Sequence, residues 1–430
     1  MDAPDPDWIT AQRLASARCM ARACSAVTLS RHRDGFGWTV RPAPGSVLAS
    51  PRIASWDPEP DYFHHWIRDS AIVLRAVPLA IRVDPTARAF WLTFIRDFIR
   101  FSLRISDPDR RGTATNPLRD TTRPDFTRFL RPDAEFQALA GEGWLEEPRF
   151  APDGSPDLEQ WSRPQDDGPA LRASSLIAVL EALPETASPE AETLIARDLA
   201  HTLRIAGRAC IGPWEEAPAR CTTFTLIAEW DALDCGARRG NDPAMQNAAD
   251  RLAELIENAA DTQTGGWRDS IDGANGQPDS ATCLAILHAA RRDGPFAITA
   301  PRTRATAAAL EGVFAALYPI NRERAHPAIG RFASDVYFDG NPWYPTTLGF
   351  AELSYRIAAA TGDAREFEKA ESLMALIERV APKPAGALPE QFDRRTGEPA
   401  SCLDLSWSAA AFLEAAAARE KAVQAMAGAR

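Results

Sequence analysis

The sequence predicts an all-α protein of about twelve helices, arranged as hairpins closed into a toroid. Three observations lead there. Apolar residues recur at helical spacing over most of the 430-residue chain. Strand-like runs are scarce. Short turns and long loops alternate between the periodic segments, the pattern expected when every second helix returns along its neighbour. An open solenoid would use a similar number of helices, but it stacks sequence units of fixed period, and none is visible. No low-complexity linker divides the chain, so residues 1–430 read as one domain.

The periodicity places helices near 8–27, 66–79, 86–104, 169–183, 189–207, 221–235, 243–260, 278–292, 301–317, 344–360, 363–379 and 406–420. Boundary residues support several of these. Asp84-Pro85 precede the third and Pro189 opens the fifth, where a missing N–H costs nothing. Gly362-Asp363 separate the tenth from the eleventh. Gly35–Val40 and Ser46–Ser50 read as the two arms of one short hairpin, or else as loops. The connections 105–168, 261–277 and 318–343 are long and rich in Pro, Gly and Asp. They carry Trp, Arg and paired acids in place of Ser/Gly filler, which marks them as functional.

Composition narrows the function. The net charge is −11 and the arginines are scattered, so nucleic acid is not an expected partner. No apolar run approaches the length of about 18 residues needed to span a membrane. Met1–Asp7 lacks the basic and apolar stretches of a signal peptide. The seven cysteines include no CxxC pair, which argues against a zinc framework. Together these features predict a cytoplasmic protein with reduced thiols. His64-His65 are adjacent, but there is no HExxH spacing, so no metal is expected. Asp269, Asp272 and Asp279 do not fit a calcium-loop pattern, and that stretch reads as a plain polar loop. The chain has no P-loop, no GxGxxG after a strand and no GxSxG, so neither a cofactor nor a serine nucleophile is indicated.

Five segments could carry chemistry. Pro213-Trp214-Glu215-Glu216 holds adjacent carboxylates; when such a pair is buried, one member is pushed toward the protonated form a general acid needs. The same pair would also suit a solvated helix start. Leu388-Pro389-Glu390-Gln391-Phe392-Asp393 sets a lone Glu between prolines and aromatics, ahead of Ser401 and Trp407. Tyr62 and Trp66-Ile67-Arg68-Asp69-Ser70 open a helix with neighbouring donor and acceptor groups that could fork onto hydroxyls, or simply pair with each other. Trp161-Ser162-Arg163-Pro164-Gln165, running on to Arg172, is the fourth. Gly330-Arg331-Phe332, with Asp335 and Asn341-Pro342-Trp343, is the fifth. Each could be structural. Their shared placement is the stronger signal: all five lie where a loop leads into an alternate helix, and in a ring of hairpins those junctions gather at one mouth. The 12 Trp against 5 Tyr add flat faces suited to sugar rings as well as to the core.

Taken together, from about residue 44 to 415, these motifs resemble the glucoamylase family of glycoside hydrolases, in the family's order and with the spacing inside each motif intact. The resemblance implies an (α/α)6 barrel. It implies Glu215 as the general acid and Glu390 as the general base of an inverting reaction, with the two carboxyls about 6.5–9.5 Å apart to admit a water. It places Arg68 and Asp69 on the terminal glucose, Glu216 and Arg331 beside the acid, and Tyr62 near the reaction centre. Trp66 and Trp214 belong to the same substrate-binding set. Trp161 matches an aromatic wall at the second sugar, Trp343 a pocket aromatic, and Ser401 a hydroxyl that supports the base. Arg331 would hold Glu216 ionised and leave the proton to Glu215.

The expected substrate is an α-glucan or maltooligosaccharide, α-1,4-linked foremost. Isomaltose, dextran or trehalose are alternatives, as is a non-catalytic glucan-binding regulatory protein. A phosphorylase would need no protein base, so Glu390 counts against that version. The chain departs from the family pattern at Gly212-Pro213 and at His64-His65. No starch-binding domain is read after residue 420 and no N-terminal β-domain before the barrel. Soluble oligosaccharides are therefore expected over raw starch.

Overall fold

The computed structural model describes residues 3–54, 59–272 and 276–428. The twelve long helices lie where the periodicity puts them, within a few residues at most ends and eight at the last. They are α1 (Pro6–Ala23), α2 (Ile67–Val83), α3 (Arg88–Ile105), α5 (Asp167–Ala182), α6 (Pro189–Ile205) and α7 (Thr223–Gly240), then α8 (Pro243–Ile256), α9 (Ser280–Ala289), α10 (Pro301–Leu317), α11 (Tyr344–Thr361), α12 (Ala364–Val380) and α13 (Ser406–Gly428). A short extra helix, α4 (Asp133–Ala138), lies in the 105–168 connection. It is too brief to show a helical period.

Six helices form an inner ring. α2 packs on α5, α5 on α7, α7 on α9, α9 on α11, α11 on α13, and α13 returns to α2. That last contact closes the toroid and makes the architecture an (α/α)6 barrel. The other long helices pack outside: α3 on α2, α6 on α5, α8 on α7, α10 on α9, α12 on α11 and α1 on α13. Burial follows from this placement. In α8 only Ala248, Ala249, Leu252 and Ile256 are buried, one stripe of an outer helix. In α11 nearly every side chain from Tyr344 to Ala358 is buried, as an element covered on all sides must be.

Local chemistry sets the reversals between layers. Ser188 accepts from Ala191 N at 3.1 Å and starts α6, with Pro189 in its first position. Gly362 ends α11 at φ 73°, a conformation that side-chain-bearing residues avoid, and Asp363 then caps α12 through Arg365 N. Inner and outer helices therefore alternate in direction, and the N-termini of the inner six converge on one end. Their partial positive charges face the acids gathered there.

The expected hairpin is shifted. β1 (Arg31–Arg33) pairs antiparallel with β2 (Trp38–Val40), across a turn in which Gly37 has φ 61°. Pro42 and Pro44 lack the N–H needed to carry a ladder from Val40 onward. Ser46–Ser50 instead threads between α1 and the segment before α2, with Leu48 N bonded to Ala23 O and Ala49 N to His64 O. Two smaller ladders matter for the site. β3 (His65–Trp66) pairs with β4 (Arg149–Phe150), and β5 (Gln391–Phe392) with β6 (Pro399–Ala400).

Candidate active site

A cavity of about 270 Å³ opens at the end where the inner N-termini meet. Eleven of the twelve residues singled out from the sequence line it: Tyr62, Trp66, Arg68, Asp69, Trp161, Trp214, Glu215, Glu216, Arg331, Trp343 and Glu390. The twelfth, Ser401, lies behind Glu390 and donates to its Oε2.

Glu215 sits at φ 64°, rare for a residue with a side chain, in a turn closed by Glu215 N on Gly212 O at 2.9 Å. Ile211 N bonds Pro164 O, which ties this turn to the Trp161 loop. Four donors converge on the carboxyl. Trp66 Nε1 (2.8 Å), Gln165 Nε2 (3.0 Å) and Arg68 Nη2 (3.2 Å) reach Oε1, and Trp161 Nε1 (2.9 Å) reaches Oε2. Glu216 turns elsewhere, to Arg331 Nη2 at 2.9 Å. The adjacent acids therefore take separate donors.

Glu390 is buried and its carboxyl is pushed up to about 7, chiefly by burial. The hydroxyls of Ser401 and Tyr62 and the charge of Arg331 act in the opposite direction. Its position follows from the β5–β6 ladder. Glu390 immediately precedes β5 and Ser401 immediately follows β6, and Glu390 N bonds Cys402 O at 2.7 Å. The hairpin turn is fastened by Asp393, which accepts from the backbone of Arg395 and Thr396. Ser401 has φ 60°, so both Glu215 and the serine beside Glu390 occupy strained backbone.

Arg68 is buried, and its Nη1 donates to Asp167 (2.9 Å) and Gln165 (3.0 Å). Asp69 stands 3.9 Å from Arg68 Nε, and its carboxyl is pushed up to about 6, mainly by burial. Arg331 is clamped by Asp335 (2.8 Å at Nε) and lies within 5.5 Å of the ring centres of Trp214, Tyr337 and Trp343. Tyr62 and Tyr337 share a hydroxyl bond of 2.7 Å.

His64 and His65 are buried and do not line the cavity. His65 Nδ1 accepts from Val47 N at 3.0 Å, and burial pushes the ring down to about 3. His64 packs edge-on to Trp66 beside Arg33. Among the described residues no three His, Cys, Asp or Glu side chains gather as metal ligands, and no helix is long and apolar enough to cross a membrane. Residues 273–275 of the polar loop fall outside the described residues. Of its aspartates, Asp269 pairs with Arg220 at 2.9 Å, and Asp279 caps α9 while accepting Trp214 Nε1 at 2.9 Å.

Sequence reasoning missed Tyr337, which lines the cavity, and Asp279, which anchors Trp214; it named Trp407, another lining residue, in the Glu390 motif without giving it a role. Tyr337 lies six residues after Arg331 in a motif already singled out, so its proximity was available as a signal. Asp279 gave none, because its link to Trp214 spans two elements.

A closed ring of helical hairpins thus carries four carboxyls, those of Asp69, Glu215, Glu216 and Glu390, and a wall of indoles around one mouth. The pattern of glycosyl hydrolases family 15 matches residues 33–118 and 131–417, and the chain belongs to that family. Glucoamylase-1 of Arthroderma benhamiae is 27% identical over 441 residues, covering 90% of this chain and 66% of that protein. Glucoamylase P of Amorphotheca resinae is 30% identical over 425 residues, covering 86% and 64%. The chain thus spans roughly two thirds of the length of these curated relatives. Among solved structures, Hormoconis resinae glucoamylase aligns with a TM-score of 0.76 at 26% identity, over 96% of this chain and 73% of that one. Saccharomycopsis fibuligera glucoamylase aligns at 0.77 and 21% identity, over 98% and 97%, a likeness of fold.

Proposed function

We propose that this chain is an inverting glycoside hydrolase that releases β-D-glucose from the non-reducing ends of α-glucans, α-1,4-linked maltooligosaccharides foremost. The observation that carries the reading is that one cavity holds the carboxyls of Glu215 and Glu390 in different surroundings. Glu215 is held by two indoles, an amide and a guanidinium; Glu390 is buried and backed by hydroxyls.

In this reading Glu215 gives its proton to the glycosidic oxygen as the bond to C1 breaks. A water attacks C1 from the opposite face, and Glu390 takes the proton that water loses. The donors around Glu215 then receive the carboxylate left behind, so the charge created by proton transfer meets preset dipoles. Asp69 and Arg68 bind the terminal sugar. Glu216 and Arg331 hold the next one, against the aromatic faces of Trp161 and Trp343. A cytoplasmic location belongs to the same proposal. Its support is the seven unpaired thiols, and cell fractionation tests it.

The test is glucose release from maltotriose, isomaltose and trehalose by the wild type, Glu215→Gln and Glu390→Gln. Release from one of the three, lost in both variants, supports the reading and identifies the linkage. If none is cleaved while a sugar still raises the melting temperature, the chain is a non-catalytic glucan binder.

A further inference from the structure

Two indoles supply half of the donors on Glu215, and one buried cation touches both of them. The Arg149 side chain is fully buried, and its guanidinium carbon lies 3.6 Å from the ring centre of Trp161 and 4.9 Å from that of Trp66. The two rings meet edge to face at 5.8 Å and 75°. Their N–H groups then reach Glu215 from two sides, Trp66 at Oε1 and Trp161 at Oε2.

Arg149 is itself fixed. Its backbone pairs with Trp66 in the β3–β4 ladder. Its Nε donates to Asp157 Oδ2 at 2.8 Å, and its Nη2 lies 3.3 Å from Glu159 Oε2. Asp157 also accepts Arg163 Nη2 at 2.7 Å, and Arg163 Nη1 in turn holds Trp161 O at 2.9 Å. One carboxylate thus anchors the cation on the ring of Trp161 and the cation on its backbone. Arg149 Nη1 has no hydrogen-bond partner among the described residues. A buried donor is rarely left without one unless another attraction compensates, and here an aromatic face does so. A guanidinium can lie flat on a ring and fork onto a carboxylate at once, which an ammonium cannot.

We propose that Arg149 is a positioning residue for the reaction: it sets the angle and donor strength of Trp66 and Trp161 toward Glu215, and so acts on the acid without touching substrate. A cation against an indole withdraws density from the ring and sharpens its N–H as a donor. The proposal rests on the role given to Glu215 above.

Arg149→Lys tests it, because the charge facing Asp157 and Glu159 is kept while the plane and fork are lost. On the substrate that the wild type cleaves, kcat falls about tenfold, the cost of one weakened charge-assisted bond, with KM within about twofold. In a Trp161→Phe background the same substitution lowers kcat by less than about threefold, because most of what Arg149 acts through is already gone. Equal losses in both backgrounds, or an unchanged kcat, overturn the proposal. The indole N–H resonances of Trp66 and Trp161 give a readout independent of turnover. Both shift in Arg149→Lys, and unshifted resonances overturn the proposal even if no glucan is cleaved. If Arg149→Lys does not fold, Glu159→Gln loosens the same anchor without stranding a charge. The Trp161 resonance is then expected to move, and a fixed one overturns the proposal.

Discussion

The hydroxyl of Ser401 donates to Oε2 of Glu390 across eleven residues of chain, because a two-residue ladder brings the ends of one hairpin together. In the proposed mechanism Glu390 is the base and must be ionised to accept a proton, and burial pushes its carboxyl up to about 7. Activity is therefore lost as pH falls through that value. The Ser401 bond favours the ionised form, so removing it raises the carboxyl further. Ser401→Ala is expected to move the acidic limb of kcat/KM upward by about half to one pH unit. Ser401→Gly, which also relieves the backbone, should show the same shift. A limb that stays put or moves down contradicts the placement of this hydrogen bond in the mechanism.

Glu215→Gln keeps the shape but has no proton to give. Its kcat is expected to fall by about a thousandfold or more on a substrate with a poor leaving group. A substrate whose leaving group needs no protonation, such as a glucosyl fluoride, should recover much of the loss. Equal losses on both substrates would place the acid elsewhere.

Arg68 satisfies Gln165, Asp167 and Glu215 at once. Lysine cannot span three acceptors in a fixed plane. Arg68→Lys should lower kcat/KM by about a hundredfold and lower the melting temperature as well, since Asp167 is left buried with a weaker partner. Steady-state kinetics beside a thermal melt separate the two effects. Near-normal kinetics would remove Arg68 from the site.

Asp279 holds Trp214 and is pushed up to about 7 by burial, against an ordinary value of 3.8. Over that window the folded protein keeps a proton that the unfolded chain releases. Stability is therefore lost as pH rises, by at most about 4 kcal/mol. Asp279→Asn removes this dependence, and its amide oxygen can still accept from Trp214 and Ala281. Relative to wild type, the variant should melt progressively higher between pH 4.5 and pH 8. A constant difference across that range would show that Asp279 does not titrate there.

Much of the barrel was legible, because each long helix must bury one stripe or all of its surface and the apolar spacing records which. The gathering of Arg68, Trp161, Glu215, Arg331 and Glu390 was legible for a related reason: hairpins alternate direction, so loops that enter inner helices share an end. Contacts between residues brought together only by packing were not. Nothing local to Arg149-Phe150 signals a two-residue strand beside Trp66, and nothing near Asp279 signals an indole from another loop. The shifted β1–β2 hairpin shows the same limit, since only the prolines after Val40 bear on its register. The separate partners of Glu215 and Glu216 likewise depend on where Arg331 arrives.

In the proposed reaction a water activated by Glu390 attacks C1 directly. The anomeric proton of the first glucose released reports on it directly. The wild type is given maltotriose, or whichever of isomaltose and trehalose it cleaves, and early product is followed by proton NMR before mutarotation. β-Glucose is expected first, with the α anomer growing in only as the sugar equilibrates. Initial release of α-glucose would mean a retained configuration, and would contradict the roles assigned to Glu215 and Glu390.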